Sequence, residues 1–308
     1  MEYKKTVKKE IALAGTGLHT GKQVTIRIKP SYQDVGILFV RTDLEGDNIV
    51  PARAPYIVDT RFATTIGRGS AVISTVEHLM AAFAGCGIDT AIVEIDGPEV
   101  PVFDGSAAPF VALIKETGTA NIKFPKTYLK ILEEISVSDG DKKVTLRPCD
   151  CFKVDFRIKF DHPVIRAQRF KGKISEKTFK KRIAIARTFG FLRDVELLKK
   201  NGLARGGSLD NAVVIGEDGI LNQEGLRFSD EFVRHKVLDL VGDLYMLGAP
   251  LKAEVRAVKS GHTLHAMLAR KVLETPSCWE LVEARGRLAE WTMPQLLPQP
   301  AGAAAAAI

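Results

Sequence analysis

The sequence predicts an α+β protein built from a duplicated unit, each half a two-layer sandwich of sheet and helices. Three observations predict it. Alternating or β-branched runs at 4–14, 23–29 and 36–40 open the chain, and similar runs at 128–137, 142–147 and 152–160 open its second half. Each strand-rich stretch leads to a helix that carries a histidine, His78 in one half and His235 in the other. A glycine stop, a strand, a loop and another helix follow in both. This order divides the chain into domains at 1–122 and 127–274, with 119–126 as a linker. Residues 275–308, rich in proline and ending in an alanine run, read as a mobile low-complexity tail, apart from a short helix over 279–291.

In the first half, Gly15-Thr16-Gly17-Leu18-His19-Thr20-Gly21 forms a glycine-rich turn between two strands. His19 there is either a solvated loop residue or a side chain held against a ligand with backbone N–H groups. Residues 74–85 read as a helix. Ser74 and Glu77 fit a capping box, and Gly85 or Gly87 supplies the stop. Two readings compete for Glu77 and His78: a capping partner beside a packed histidine, or a base beside a metal ligand. A strand over 90–95, a loop over 96–106 and a helix over 109–116 complete this half.

In the second half, residues 177–186 predict a basic helix with a solvated positive face, ended by Arg187-Thr188-Phe189-Gly190-Phe191. A short strand follows at 211–215. Phe232, Val233, Val237, Leu238, Leu240, Val241 and Leu244 keep helical spacing and predict a helix from 228 to about 248. A strand over 251–258, a turn at Lys259-Ser260-Gly261-His262 and a helix over 263–273 close it.

Bulk properties narrow the function. The net charge of +7 favours an anionic ligand such as a phosphate, a nucleic acid or a membrane surface. The charge is spread along the chain, and no aromatic-and-basic stripe or helix-turn-helix pattern supports nucleic acid. The four cysteines include no C-x-x-C pair, so reduced thiols in a cytoplasmic protein are expected. No apolar run approaches the roughly 18 residues that span a bilayer.

His235, Asp239 and Asp243 fall at i, i+4 and i+8, on one helix face. An imidazole and a carboxylate one turn apart can grip one metal ion, but two protein ligands are too few for zinc. His78 would complete a two-histidine, one-carboxylate set with a position left for water, the pattern of a catalytic zinc. Glu77 would then take a proton from water, and Thr188 would steady an oxyanion. His262 is the candidate acid, with Asp243 holding it protonated. The alternatives are a solvated helix residue for Asp243 and a surface lysine for Lys236.

Taken together, Ser74-Thr75-Val76-Glu77-His78-Leu79, Ala186-Arg187-Thr188-Phe189-Gly190-Phe191, Leu221-Asn222-Gln223-Glu224-Gly225-Leu226-Arg227-Phe228, Phe232-Val233-Arg234-His235-Lys236-Val237-Leu238-Asp239 and Lys259-Ser260-Gly261-His262 resemble the UDP-3-O-acyl-N-acetylglucosamine deacetylase family. The resemblance covers roughly residues 3–273 and implies a zinc amidase of lipid A biosynthesis in Gram-negative bacteria. It implies two domains packed face to face with the active site between them. It implies one Zn2+ per chain on His78, His235 and Asp239, with Glu77 as base and His262 as acid. Asp243 would partner the acid, Thr188 would face the oxyanion, and Lys236 would serve catalysis near the glucosamine. His19 and Phe189 would also meet the sugar. Lys142 or Lys143 and Lys259 would meet sugar and phosphate, and Phe160 would stack on uracil. Phe191, Ala204, Ser208 and Val214 lie where the family forms a passage for the acyl chain. Ala204-Arg205 and Arg61-Phe62 depart from the pattern. The partners implied are the UDP-3-O-acyl-N-acetylglucosamine substrate and water, with at most weak membrane-surface contact and a monomeric state. A reading from another class is a non-catalytic module that binds a UDP-sugar or an anionic lipid.

Overall fold

The computed structural model describes residues 2–284. The first half holds β1 (Tyr3–Val7), β2 (Ile11–Thr16), β3 (Gln23–Lys29), β4 (Ile37–Arg41), β5 (Ile49–Pro51), β6 (Ile57–Asp59), β7 (Thr65–Arg68), β8 (Ala71–Ile73), α1 (Glu77–Cys86), β9 (Ala91–Ile95), α2 (Ala108–Thr117) and β10 (Thr119–Pro125). The second holds β11 (Thr127–Ile131), β12 (Ile135–Asp139), β13 (Lys142–Pro148), β14 (Lys153–Lys159), β15 (Ala167–Lys173), α3 (Glu176–Arg182), β16 (Phe189–Phe191), α4 (Leu192–Lys200), β17 (Val213–Ile215), α5 (Glu231–Tyr245), β18 (Leu251–Val258), α6 (His262–Glu274) and β19 (Trp279–Glu283).

The protein is a mixed α+β structure, and its two main sheets repeat one plan. In the first, the order is β2-β3-β9-β4-β5, with β9 antiparallel to β3 and parallel to β4. In the second, β12-β13-β18 continues through β14 to β15, with β18 antiparallel to β13 and parallel to β14. In both halves a strand enters the sheet directly after the histidine-bearing helix. The strands form because alternate residues are apolar and face one side. Val24, Ile26 and Ile28 of β3 are buried, as are Val154, Phe156 and Ile158 of β14. Each such side chain stabilises the fold by about 1.5–3 kcal/mol.

The structure corrects several boundaries. The single strand expected over 4–14 is broken at 8–10, where Lys8, Lys9 and Glu10 are all exposed. The expected linker at 119–126 is mostly β10, which pairs antiparallel with β1 and ties the start of the chain to the middle. The strand expected over 128–137 is two strands, β11 and β12. The tail begins later than expected. Residues 279–283 form β19 on the edge of the second sheet, not a helix, because they pair in register with β11. Val282 packs into the core there. The rest of the expected tail and helix, 285–308, lies outside the described residues.

The two halves meet through their helices. α1 packs on α5, and α6 packs on α5 and on β12 and β13. A Cβ on Gly242 of α5 would stand 2.0 Å from the Glu77 carbonyl oxygen of α1, so only glycine lets the two backbones approach this closely. On α1, Gly85 plays the same part beside the Phe179 ring of α3, where a Cβ would lie 1.9 Å from the ring. α5 is therefore enclosed on nearly every face. His235, Asp239 and Asp243 are each 2 % exposed, which excludes a solvated polar stripe.

Candidate active site

A strained turn delivers Glu77 and His78. Thr75 has a φ of 58°, a left-handed conformation that a β-branched residue rarely adopts. Such a residue costs about 1–3 kcal/mol and persists where its surroundings hold it. Thr75 donates its hydroxyl to the buried Glu99 carboxylate at 3.1 Å, and Ser74 forms a bridge with Glu99. The turn ends the extended chain and starts α1 at Glu77 itself. The expected capping box is thus absent. Ser74 Oγ accepts from the Thr65 hydroxyl at 2.9 Å, and the Glu77 carboxylate accepts the Thr64 N–H at 3.0 Å.

His78 from α1 and His235 and Asp239 from α5 converge across the helix contact. Their ligand atoms all lie within 4.8 Å of one another, and all three residues are buried. Asp239 Oδ1 is 3.2 Å from His235 Nε2 and 3.7 Å from His78 Nε2, without a hydrogen bond to either. A buried carboxylate oxygen facing two imidazole nitrogens with no hydrogen bond is costly unless a cation binds them together. Burial, then the nearby His235, push His78 down to about 3, so it is neutral with a free lone pair. Burial lowers His235 as well. For Asp239, burial opposes ionisation, but surrounding positive charge, with the Lys236 ammonium 2.8 Å away, holds the carboxyl below its ordinary range. Two neutral imidazoles and one carboxylate can therefore hold a metal ion. Outer contacts fix two of the three, while His78 Nδ1 is buried without a hydrogen bond. His235 Nδ1 donates to the Ala186 carbonyl at 3.1 Å, and Lys236 Nζ donates to Asp239 Oδ2 at 2.8 Å.

Beside this cluster sits an acid–base pair. Glu77 Oε1 is 3.8 Å from His262 Nε2. Burial pushes Glu77 up to about 8, against the lowering pull of His262. Burial opposes charge on His262, but Asp243 and then Glu77 raise it to about 9, so the imidazolium is the stable form at neutral pH. Its Nδ1 donates to Asp243 Oδ2 at 2.8 Å, which leaves the Nε2 edge facing Glu77 and Asp239.

The chain matches, over residues 4–274, the family described as UDP-3-O-acyl N-acetylglycosamine deacetylase. It belongs to this family. It is 52% identical over 283 residues to the UDP-3-O-acyl-N-acetylglucosamine deacetylase of Myxococcus xanthus (strain DK1622), covering 92% of this chain and 90% of that one. The protein of the same name from Syntrophotalea carbinolica (strain DSM 2380 / NBRC 103641 / GraBd1) is 51% identical over 284 residues, 92% of each chain. That of Pseudomonas entomophila (strain L48) is 48% identical over 280 residues, 90% of this chain and 92% of that one.

Around the core of this deacetylase-family site, the remaining candidates fall into three groups. Phe189, Phe191 and Phe160 form an aromatic row. Phe160 lies 5.9 Å from Phe189 and 6.0 Å from Phe191, and Phe189 lies 6.3 Å from His235. The row reaches His235 of the candidate ligand set, and Lys236 Nζ lies 5.6 Å from the Phe189 ring. His19 forms the second group. Its backbone N–H donates to Glu99 at 2.8 Å, and burial lowers its imidazole pKa. The turn meets the 204–206 segment, where Arg205 N–H donates to the His19 carbonyl at 3.2 Å. The third group stands apart. Lys142 and Lys143 are exposed at the start of β13, and Lys259 pairs with Asp141. No described contact ties these lysines to the metal cluster. Thr188 is placed by its backbone, which bonds to Gly105 and Val213 two residues beyond Ala186.

Four residues in this machinery lay outside the expected set. Glu99 is fully buried and accepts from His19, Thr20 and Thr75, so one carboxylate fixes both the glycine-rich turn and the strained turn. Thr64 links Glu77 to Asp243, donating its N–H to the first and its hydroxyl to the second at 2.6 Å. Arg187 and Glu231 form a buried pair at 3.0 Å that straps the 186–188 segment to the start of α5. Arg187 lies within the 186–191 motif, but no local motif marks Glu99, Thr64 or Glu231. Each acts through a partner at least 13 positions away, as with Thr64 and Glu77.

Proposed function

We propose that this deacetylase-family chain hydrolyses the N-acetyl amide of UDP-3-O-(3-hydroxyacyl)-N-acetylglucosamine, releasing acetate and the free 2-amino sugar nucleotide. This is the committed step of lipid A biosynthesis. The observation that carries the mechanism is the buried ligand set of His78, His235 and Asp239 beside a carboxyl and an imidazolium 3.8 Å apart. We read the two halves as two similar sandwiches packed face to face, with boundaries near 1–122 and 127–274 and the site between them. The repeated strand order supports that reading.

We assign His78, His235 and Asp239 to one Zn2+, which when bound lowers the pKa of water and polarises a carbonyl. Glu77, ionised, accepts a proton from the attacking water. The C–O bond forms as the amide carbonyl becomes an oxyanion, faced by Thr188 and Lys236. His262 gives its Nε2 proton to the amine as the C–N bond breaks, and Asp243 stabilises the imidazolium until then. His19 and Phe189 contact the glucosamine. Phe160 stacks on the uracil, and Lys142, Lys143 and Lys259 meet the sugar nucleotide from the exposed rim. Phe191, with Ala204, Ser208 and Val214, borders the acyl chain. The four cysteines are free thiols, which supports a cytoplasmic location. No helix among the described residues is long and apolar enough to cross a membrane. We place the chain as a monomer with weak membrane-surface contact at most.

The test is acetate release from the synthetic substrate, before and after stripping with a chelator and reloading with Zn2+. Activity lost on stripping and restored on reloading supports the mechanism. Release undiminished in the metal-free protein overturns it. Tight UDP-sugar binding with no acetate from the loaded protein would favour a non-catalytic module instead.

A further inference from the structure

We propose that His265 is a positioning residue for the acid His262, acting through the Asp243 carboxylate they share. The proposal rests on the deacetylase reading of the site, in which His262 is the proton donor.

His265 lies one turn after His262 on α6 and is fully buried. Its Nδ1 is 2.7 Å from Asp243 Oδ2, and its Nε2 is 2.9 Å from Ser260 Oγ. An ionised carboxylate only accepts, so Nδ1 carries the hydrogen. In the neutral ring Nε2 is then the acceptor, and Ser260 donates to it. Burial opposes a charge on this imidazole, in keeping with that tautomer. The Phe156 ring packs edge-on at 6.3 Å and leaves the imidazole little room to turn.

Asp243 consequently holds three donors. Oδ1 accepts the Thr64 hydroxyl at 2.6 Å, and Oδ2 accepts both His262 at 2.8 Å and His265 at 2.7 Å. Rotation of the carboxylate away from this setting breaks the His265 and His262 bonds together. The acceptor that orients the acid therefore has one position, and this aims His262 Nε2 at Glu77 and Asp239, 3.8 Å and 4.0 Å away. The anchor is local. Ser260 and His262 flank Gly261 in the turn that begins at Lys259, whose φ is 50°. The turn that carries the acid thus also supplies the hydroxyl that fixes its carboxylate's second partner. Without the His265 N–H, Asp243 can swing toward Thr64, and His262 Nδ1 then divides its hydrogen bond between the carboxylate and the Thr64 hydroxyl 3.2 Å away, so its ring is no longer held in one orientation.

Three variants test this in the metal-loaded protein. His265→Leu removes the donor, His265→Asn keeps an N–H near the Nδ1 position, and Ser260→Ala releases the outer anchor. His265→Leu should lower kcat about 10- to 100-fold, the size of a lost charge-assisted hydrogen bond, with KM and metal content unchanged. His265→Asn should recover most of that loss, and Ser260→Ala should fall between. In a His262→Ala background, His265→Leu should cost nothing further, whereas a merely structural role would cost the same in both backgrounds. An unaltered kcat in His265→Leu, or an equal further loss in the double variant, overturns the proposal. A readout independent of turnover is nuclear magnetic resonance on 15N-histidine-labelled protein. Wild type should show protected Nδ1–H protons for both His262 and His265. The His262 signal should broaden by exchange in His265→Leu and stay sharp in His265→Asn. A sharp, unshifted His262 signal in His265→Leu overturns the positioning role. Should wild type release no acetate, the deacetylase reading fails, and the resonance experiment still decides whether His265 orients His262.

Discussion

His78, His235 and Asp239 lie next to a second cluster, Asp243, His262 and His265, in which ligand-type atoms also fall within 4.8 Å of one another. Both contain two imidazoles and one carboxylate, and both draw that carboxylate from α5. In the first, the inward Asp239 oxygen has no hydrogen bond and stands 3.2–3.7 Å from the imidazole nitrogens. In the second, both imidazoles present Nδ1 to the same Asp243 oxygen at 2.7–2.8 Å, and a threonine hydroxyl occupies the other oxygen. A cation inserted there would have to displace those hydrogen bonds. Residue type alone therefore does not separate a metal site from a proton-holding site. What separates them is whether the polar atoms are already satisfied by one another.

The largest effects should come from breaking each cluster in turn. His78→Ala or Asp239→Asn should abolish both metal content, read by emission spectroscopy, and acetate release. His262→Ala and Glu77→Ala should keep the metal and lower kcat by about 10²–10⁴-fold. Loss of metal from His262→Ala would erase the distinction between the clusters.

The pH dependence sharpens it further. Glu77 must be ionised, so kcat/KM should fall as the pH drops and Glu77 protonates. Burial raises its pKa to about 8 without metal, and a bound dication lowers it, so the loaded enzyme should work below that pH. His262 must be protonated, so activity should fall again as the pH rises through about 9. Asp243→Asn should move this alkaline limb downward. Stability follows the same sign. The folded pKa of His262 lies above its ordinary 6.5, so its stabilising contribution is complete below pH 6.5 and is lost as the pH rises through about 9. Melting of the metal-free protein across that window should show the loss, and His262→Gln should flatten it.

Smaller changes probe the supports. Lys236→Ala removes the 2.8 Å bond to Asp239 and should cost about 10- to 100-fold in metal affinity or activity. Competition with a chromogenic chelator measures the former. Gly242→Ala should destabilise the fold by about 1–3 kcal/mol in urea unfolding, since a methyl there meets the Glu77 carbonyl. It should weaken metal binding too, because it pushes His78 away from His235. Ser74→Ala should cost about 0.5–1.5 kcal/mol through the Thr65 bond alone, and a Thr65→Val background should remove that cost, because the Ser74 hydroxyl does not cap α1. A cost that persists in the Thr65→Val background is what a capping role would produce.

Periodicity was a good guide where a residue's neighbours are local. The strands at 23–29 and 251–258 and the long helix carrying His235 were all legible, because buried faces repeat every two or about 3.6 residues. It failed at β10, whose register depends on β1 more than 100 positions earlier, as Thr6 opposite Ala120 shows. It was not read at α4, where Leu192, Val195 and Leu198 keep helical spacing although no residue of the helix is buried. The capping box at Ser74 and Glu77 had the right residues at the right spacing. The backbone of Thr75 and the interior position of Glu77 override it.

The sequence by itself determined the family and the i, i+4 placement of His235 and Asp239, because these are written in contiguous residues. Only the tertiary structure decided that Asp243 is an acceptor shared by two histidines, that Glu99 and Thr64 lie beside the candidate site, and that an Asp239 oxygen faces the two imidazoles without a hydrogen bond. The reason is physical. Burial and hydrogen-bond satisfaction are properties of the packed helices α1, α5 and α6, and the glycine contact that brings α1 and α5 together joins residues from opposite halves of the chain.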